Sequence, residues 1–226
     1  MAVMQGLTPY NLRIVSEVLG GKSYPLGLLE RLEPKPVIVD LGAHIGAFSL
    51  ACLTLRPDAR VVAVEPDPES CAALRRNVDG RAVELHACAL SERDGAVTLF
   101  RGARDGVASS TSPGAMVSTR EAVTVEGRGI AGFLEDVTRA HGRVDLLKSD
   151  MEGAEWHLLQ VLPRVATIPV VLLEHHSASF LERFLPALLG SHVIHSGALR
   201  FPHRGELALL RKDLVLEEQR AYEIRP

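Results

Sequence analysis

Four residues near the start of the chain, Asp40, Gly42, Gly46 and Glu65, have the types and spacing to grip a nucleoside. The apolar run Val37–Leu41 reads as a buried strand that carries Asp40 to its C-terminal end. The turn Gly42-Ala43-His44-Ile45-Gly46 then opens a helix. Ligands of open α/β sheets bind at such strand ends. Gly42 permits positive φ or close backbone approach, and Gly46 lets the following helix pack tightly. N–H groups at the helix start can receive a carboxylate. Glu65 stands at the end of the next strand, before Pro66-Asp67, where one carboxylate can accept from both hydroxyls of a ribose. The structural alternative is a turn whose glycines serve packing alone, beside an ordinary surface acid.

A second constellation lies a hundred residues on. The strand Val144–Lys148 runs into Ser149-Asp150, and Glu152, Gly153 and Glu155 follow. It brings Asp150 to the same sheet edge as the glycine turn, and Gly153 leaves the backbone open to a ligand. Glu152 and Glu155, three residues apart, share one face of a helix expected over Glu152–Leu162. Acids in a first helical turn are also favoured by the helix dipole, and Asp150 could serve as an N-cap. The next strand ends in Glu174-His175-His176 at the same edge. Asp150, His175 or His176 could act as a general base. Asp150, Glu152 and His175 could instead hold Mg²⁺ or a transition metal.

The elements needed to position these residues alternate strand and helix. Helices are expected over Ala47–Leu55, Pro68–Asn77, Ile130–His141 and Ser179–Leu189. Strands are expected over Arg60–Val64, Val83–Leu90, Val97–Arg101, Val123–Glu126 and Val170–Leu173. The pattern predicts an α/β fold, a mostly parallel sheet with helices on both faces. The last two strands, His192–His195 and Glu206–Leu210, have no helix between them and predict an antiparallel hairpin closing one edge. Residues 1–35 carry Tyr10, Leu12, Ile14, Val15 and Val18 at helical spacing and read as an N-terminal helical cap on a domain spanning 36–226. Gly102–Gly114, rich in Gly, Ser and Asp, reads as an exposed loop.

Composition narrows the classes. The 226 residues suffice for one α/β domain. With 46% hydrophobic but 4% aromatic residues, aliphatic side chains must fill the core, as in buried parallel sheets. A formal charge of -3 with interspersed signs offers no basic stripe for nucleic acid. Cys52, Cys71 and Cys88 are far apart without CxxC spacing, so neither a disulfide frame nor a zinc site is indicated. There is no signal-peptide pattern and no membrane-length apolar run, which predicts a cytoplasmic protein without a membrane partner.

Two cofactor classes share this scaffold. NAD enzymes use a GxGxxG turn for the pyrophosphate, which is missing here. S-adenosylmethionine (SAM) has no phosphate, and a carboxylate-headed nucleoside tolerates the looser turn. An NAD(P)-dependent oxidoreductase is therefore the alternative, alongside a non-catalytic SAM-binding protein.

The chain resembles the FkbM-type methyltransferases, a SAM-dependent family that largely O-methylates natural products and sugars. The matching pieces are Val39-Asp-Leu-Gly-Ala-His-Ile-Gly-Ala-Phe-Ser49, Val64-Glu-Pro-Asp67, Ala89-Leu-Ser-Glu92 with Gly95, and Leu147-Lys-Ser-Asp-Met-Glu-Gly-Ala-Glu155. The last resembles the family's K-x-D-x-E-G-x-E signature. One piece departs: Gly129-Ile-Ala-Gly-Phe-Leu-Glu-Asp136 stands where the family usually has Leu-Asp-Asp. The resemblance implies a class I methyltransferase (Rossmann-like) fold. It implies SAM held by Asp40, Gly42, Ala43, Gly46, Glu65, Pro66, Asp67 and Asp150, with Ala89 and Leu90 as walls for adenine, and a small hydroxylated acceptor. A base or a divalent metal would assist an alcohol, which is a poor nucleophile until its proton leaves. Ser109-Ser110-Thr111 resembles a serine-rich site of the family. Nucleobase methylation is disfavoured, because Ser149-Asp-Met-Glu-Gly stands where such enzymes carry Asn/Asp-Pro-Pro-aromatic. His192, His195 and His203, the acceptor's identity and any oligomer stay unassigned.

Overall fold

The computed structural model describes Met4, residues 7–102, Thr111, and residues 119–200 and 204–215. Its centre is a seven-stranded sheet. The strands are β1 (Val37–Leu41), β2 (Arg60–Val64), β3 (Val83–His86), β7 (Leu146–Ser149), β8 (Val170–His175), β9 (His192–Arg200) and β10 (Arg204–Arg211). Their order is β3-β2-β1-β7-β8-β10-β9. The first five run parallel, and β10 pairs antiparallel with both β8 and β9. The expected closing hairpin is therefore present, with β10 inserted between β8 and the edge strand β9.

All five residues of β1 are buried, as a strand covered on both faces requires. Side chains alternate across it: Val37, Val39 and Leu41 join one core with Phe133, Phe180 and Phe184, while Ile38 joins the other with Phe48 and Leu74. Helices α2 (Ala47–Leu55), α3 (Pro68–Asn77), α4 (Ile130–His141) and α6 (Ala178–Leu188) cover these faces, and a short α5 (Leu162–Val165) lies between β7 and β8. Sequence sets the helix starts. Asp67 Oδ1 accepts from the N–H groups of Glu69 and Ser70 with Pro68 in the first turn of α3, and Ser177 caps α6.

The N-terminal segment shares the core on the α2 side. Helix α1 (Pro9–Leu19), capped by Thr8, packs on α2. A 3₁₀ helix at Leu26–Arg31 buries Leu28 and Leu29, and Tyr24 meets Phe48 edge-on at 5.2 Å. No described helix is long and apolar enough to cross a membrane.

Three expectations change. Val83–Leu90 is not one strand: β3 ends at His86, and β4 (Ala89–Ser91) starts a second sheet ordered β4-β6-β5. In that sheet β5 (Gly95–Gly102) and β6 (Thr119–Gly129) form an antiparallel ribbon far longer than the short strands expected at 97–101 and 123–126. The helix expected from Glu152 begins only at Ala154, as a 3₁₀ helix over Ala154–Val161.

Candidate active site

The glycine turn is built by contact between two strand ends. Gly42 has φ +75°, and a Cβ there would lie 1.7 Å from the Asp150 carbonyl oxygen. Glycine is thus required for two reasons, backbone angle and space. Gly42 and Ala43 N–H both donate to the Val64 carbonyl at 3.0 Å, tying the turn to β2. His44, at φ +51°, donates its N–H to Glu65 Oε2 at 2.8 Å, and Asp67 N–H donates to Glu65 Oε1 at 2.9 Å. These two bonds fix the Glu65 carboxylate at the cavity wall. Burial outweighs them and raises its pKa to about 7.

Beneath the turn lies Lys148, 3% exposed. Its ammonium donates to the Gly42 carbonyl at 2.6 Å and the Leu41 carbonyl at 3.2 Å, and sits 3.1 Å from Asp40 Oδ1. Asp40 Oδ2 accepts from Ser49 Oγ at 2.7 Å. Burial works against the lysine's charge, but Asp40 and Asp150 outweigh it and its pKa lies above the ordinary value.

Asp150, Met151 and Glu152 line the same cavity. The loop turns through Glu152 at φ +49° and Gly153 at φ +103°. Glu155, 1% exposed, holds it in shape by accepting from Met151 N–H at 3.0 Å and Gly153 N–H at 3.0 Å. His176 bridges the two glutamates: Nδ1 is 3.0 Å from Glu155 and Nε2 is 3.2 Å from Glu152. Burial opposes its charge, yet the two carboxylates raise its pKa to about 10, making it an imidazolium at neutral pH. The same contact lowers the pKa of Glu152 despite burial. Glu174 accepts from Arg204, which also approaches Glu152 at 4.0 Å. Asp150 differs. Burial and the nearby Glu174 push its pKa well above the carboxylate range. Tyr24 Oη reaches its Oδ2 at 3.5 Å, while its Oδ1 is buried with no hydrogen-bond partner.

Asp150, Glu152 and His176 each offer a donor atom within 4.8 Å of the others, a set that suits a divalent cation. Glu155 on Nδ1 is the outer carboxylate that a metal-binding imidazole commonly carries. A cation there would have to displace the proton on Nε2.

The pattern of the methyltransferase FkbM domain matches residues 40–192, from the glycine turn through both acid-bearing strand ends. The chain belongs to the FkbM methyltransferase family. Methyltransferase 1 of Beauveria bassiana is 30% identical over 55% of this chain and 57% of its own length. The 2-O-methyltransferase NoeI of Sinorhizobium fredii is 35% identical over 36% of this chain and 33% of its own. The chain thus spans less than two thirds of these curated relatives. A solved precorrin-6y C5,15-methyltransferase from Geobacter metallireducens shares 15% identity at a TM-score of 0.48, over 94% of this chain and 93% of that one. The strand order places this FkbM domain in the class I methyltransferase architecture.

Within it, Gly42, Ala43, Glu65, Pro66, Ala89, Leu90 and Asp150 share one cavity wall. Three residues expected among the cofactor contacts lie elsewhere. Asp40 is fully buried beneath the turn, occupied by Ser49 and Lys148. Gly46, at φ +87°, starts α2, and a Cβ there would meet Leu74 of α3 at 3.2 Å. Asp67 caps α3 with Oδ1 and pairs with Arg101 through Oδ2 at 2.7 Å. The N–H groups of Gly42, Ala43, His44 and Gly46 are all bonded within the protein, which removes them as receivers of a ligand carboxylate.

The expected metal ligand and base His175 is also displaced. It is 2% exposed and off the wall, while its neighbour His176 reaches the acids. Adjacent residues of an extended chain point to opposite sides, so only one of the pair can. His176 is present in the cluster as a cation, not as a free base. Glu152 and Glu155 do not share a helix face; they meet His176 from opposite ring nitrogens. Asp150 is not an N-cap, since Gly153 holds that position in the 3₁₀ helix. Ser109, Ser110 and His203 lie outside the described residues, while Thr111 is on the wall. Reasoning from sequence assigned no role to Tyr24, His44, Lys148 or Arg204. The positive φ of His44 carries no sequence signal, and Tyr24 arrives from the N-terminal segment without a motif.

Proposed function

We propose that the protein transfers the methyl group of SAM to a hydroxyl of a small acceptor, a sugar or a natural-product scaffold. One observation carries this reading. One cavity is lined both by Glu65, whose carboxylate would read the ribose diol, and by the carboxylates Asp150 and Glu152. The residues fit the cofactor: Glu65 is held rigid by two backbone N–H bonds, and Ala89 and Leu90 offer small flat walls for adenine. When bound, SAM supplies a methyl on a sulfonium, open to in-line displacement. The 2-O-methyltransferase among the relatives supports oxygen as the acceptor atom. The chain's charge of -3 supports a small molecule over nucleic acid.

Glu152 is the proton acceptor in this reading. His176 and Arg204 keep it ionised, and it faces the cavity. A hydroxyl becomes strongly acidic as its oxygen bonds to carbon, so a carboxylate of low pKa suffices to take the proton. His176 keeps its own proton and orients Glu152.

The test is transfer of isotopically labelled methyl from SAM to a panel of sugars and hydroxylated scaffolds. A base-stable methyl ether is expected. Glu152→Gln should lower kcat about 10²-fold or more with the KM for SAM little changed. Label found in an alkali-labile ester or on nitrogen would overturn O-transfer. The Asp150–Glu152–His176 donor set favours a second, metal-assisted form of the same reaction. Loss of turnover in EDTA, restored by Mg²⁺ or Mn²⁺, would select that form.

A further inference from the structure

One arginine of the second sheet gathers three acids beside the corner that holds Glu65. Arg101 lies near the end of β5, its side chain 16% exposed. Nε donates to Asp67 Oδ2 at 2.7 Å, one terminal nitrogen lies 2.8 Å from Glu69, and the other lies 3.1 Å from Glu121 of β6. Asp67, 1% exposed, passes this contact on. Its Oδ1 caps α3 by accepting from Glu69 and Ser70 N–H, its Oδ2 takes Arg101, and its own N–H donates to Glu65 Oε1 at 2.9 Å. A bonded path thus runs from β5 to the Glu65 carboxylate, although Arg101 does not line the cavity. Leu99, two residues earlier on the same face of β5, is fully buried in the cavity wall. A planar guanidinium can hold several carboxylates in fixed directions, which the point charge of an ammonium cannot.

The charges around Glu65 give this path a consequence. Asp67 and Cys71 from α3, His44 from the turn and Lys148 from β7 face it. Burial and the charge of Asp67 both favour the protonated acid, whereas a diol is read by the carboxylate. Arg101 compensates Asp67 and fixes its position. We propose that Arg101 is a positioning residue of the ribose site, acting through Asp67 to aim the Glu65 carboxylate at the diol. The inference rests on the SAM reading above, in which Glu65 meets the ribose. It makes cofactor recognition depend on the docking of β5 as well as on the parallel sheet.

Calorimetric titration of the intact protein with S-adenosylhomocysteine and with its 2′,3′-dideoxy analogue, which lacks the diol, tests it. Arg101→Met should weaken the first by about 3- to 30-fold at neutral pH and leave the second within about twofold. A role confined to docking Leu99 in the wall would weaken both alike. Arg101→Lys, which keeps the charge without the fork, should show a smaller loss with the same selectivity for the diol. In Asp67→Asn, whose side chain can still cap α3, the added penalty of Arg101→Met should shrink. The pH profile reads the same path. Without Arg101 the charge of Asp67 stands uncompensated beside Glu65, so Glu65 takes up its proton at a higher pH. The loss of S-adenosylhomocysteine affinity on acidification should then begin at a higher pH than in the wild type. Equal loss for both ligands, unchanged affinity for S-adenosylhomocysteine, or an undiminished Arg101→Met penalty in Asp67→Asn would overturn the inference. Equal binding of both ligands by the wild type would overturn the ribose role of Glu65, and binding of neither would overturn the SAM reading itself.

Discussion

Replacing Gly42 by alanine is expected to destabilise the protein by about 3 kcal/mol or more and to abolish cofactor binding. The backbone there sits at φ +75°, which costs a residue with a Cβ roughly 1–2 kcal/mol by itself. The larger effect is steric. The new Cβ would lie 1.7 Å from the Asp150 carbonyl oxygen, and this contact cannot relax by a rotamer change because both partners are backbone. Relief requires β1 and β7 to separate at their C-terminal ends, where Asp150 N–H bonds the Leu41 carbonyl at 3.0 Å. That movement would also pull Lys148 from the Gly42 carbonyl. For a domain of this size the melting temperature should fall by about 6–12 °C. Gly132→Ala is the control. It lies in α4 with nothing within 4 Å of the added Cβ, and should be neutral or slightly stabilising.

Glu65→Gln is expected to weaken S-adenosylhomocysteine binding by about 10- to 100-fold, the range for losing a charged acceptor to a diol. Its pH dependence identifies the cause. Glu65 has a pKa raised to about 7 in the ligand-free fold, above the ordinary 4.5. The raised pKa means that the buried protonated acid favours folding below about pH 4.5, and that this contribution is lost as pH rises through 7. A diol donating two hydrogen bonds favours the ionised form, so the cofactor must expel that proton when it binds below pH 7. Affinity should therefore fall as pH drops from 8 to 6, and the thermal shift produced by the ligand should be larger at pH 8. In Glu65→Gln the share of this slope owed to Glu65 should vanish. A slope identical in the variant and the wild type would show that the carboxylate does not read the ribose.

The first half of the scaffold was legible because its signals are local. Val37–Leu41 is an uninterrupted apolar run, and Pro68–Asn77 is announced by Asp67-Pro68, so these bounds agree with the structure. The split at Ala87-Cys88 was not legible. No Gly or Pro marks it, and the break arises because Ala89–Ser91 pairs with Gly127–Gly129, 38 residues further along the chain. The long ribbon of β5 and β6 is likewise a product of pairing across distance. At the site, Glu65 and Asp150 could be found because strand ends in a parallel sheet converge. The roles of Glu152, Glu155 and His176 could not. They depend on the left-handed backbone at Glu152, which puts the two glutamates on opposite sides of one imidazole instead of on one helix face. The same limit hid Asp40: its position in the motif suggested a ligand contact, whereas its partner Lys148 lies on another strand.

The most direct test of the central claim, that the Gly42 turn and Glu65 form a SAM site, is isothermal titration of the intact protein with S-adenosylhomocysteine and, separately, with NAD⁺ and NADP⁺. Saturable binding of S-adenosylhomocysteine at one site per chain is predicted, with neither dinucleotide producing heat. Binding of a dinucleotide without S-adenosylhomocysteine would contradict the account.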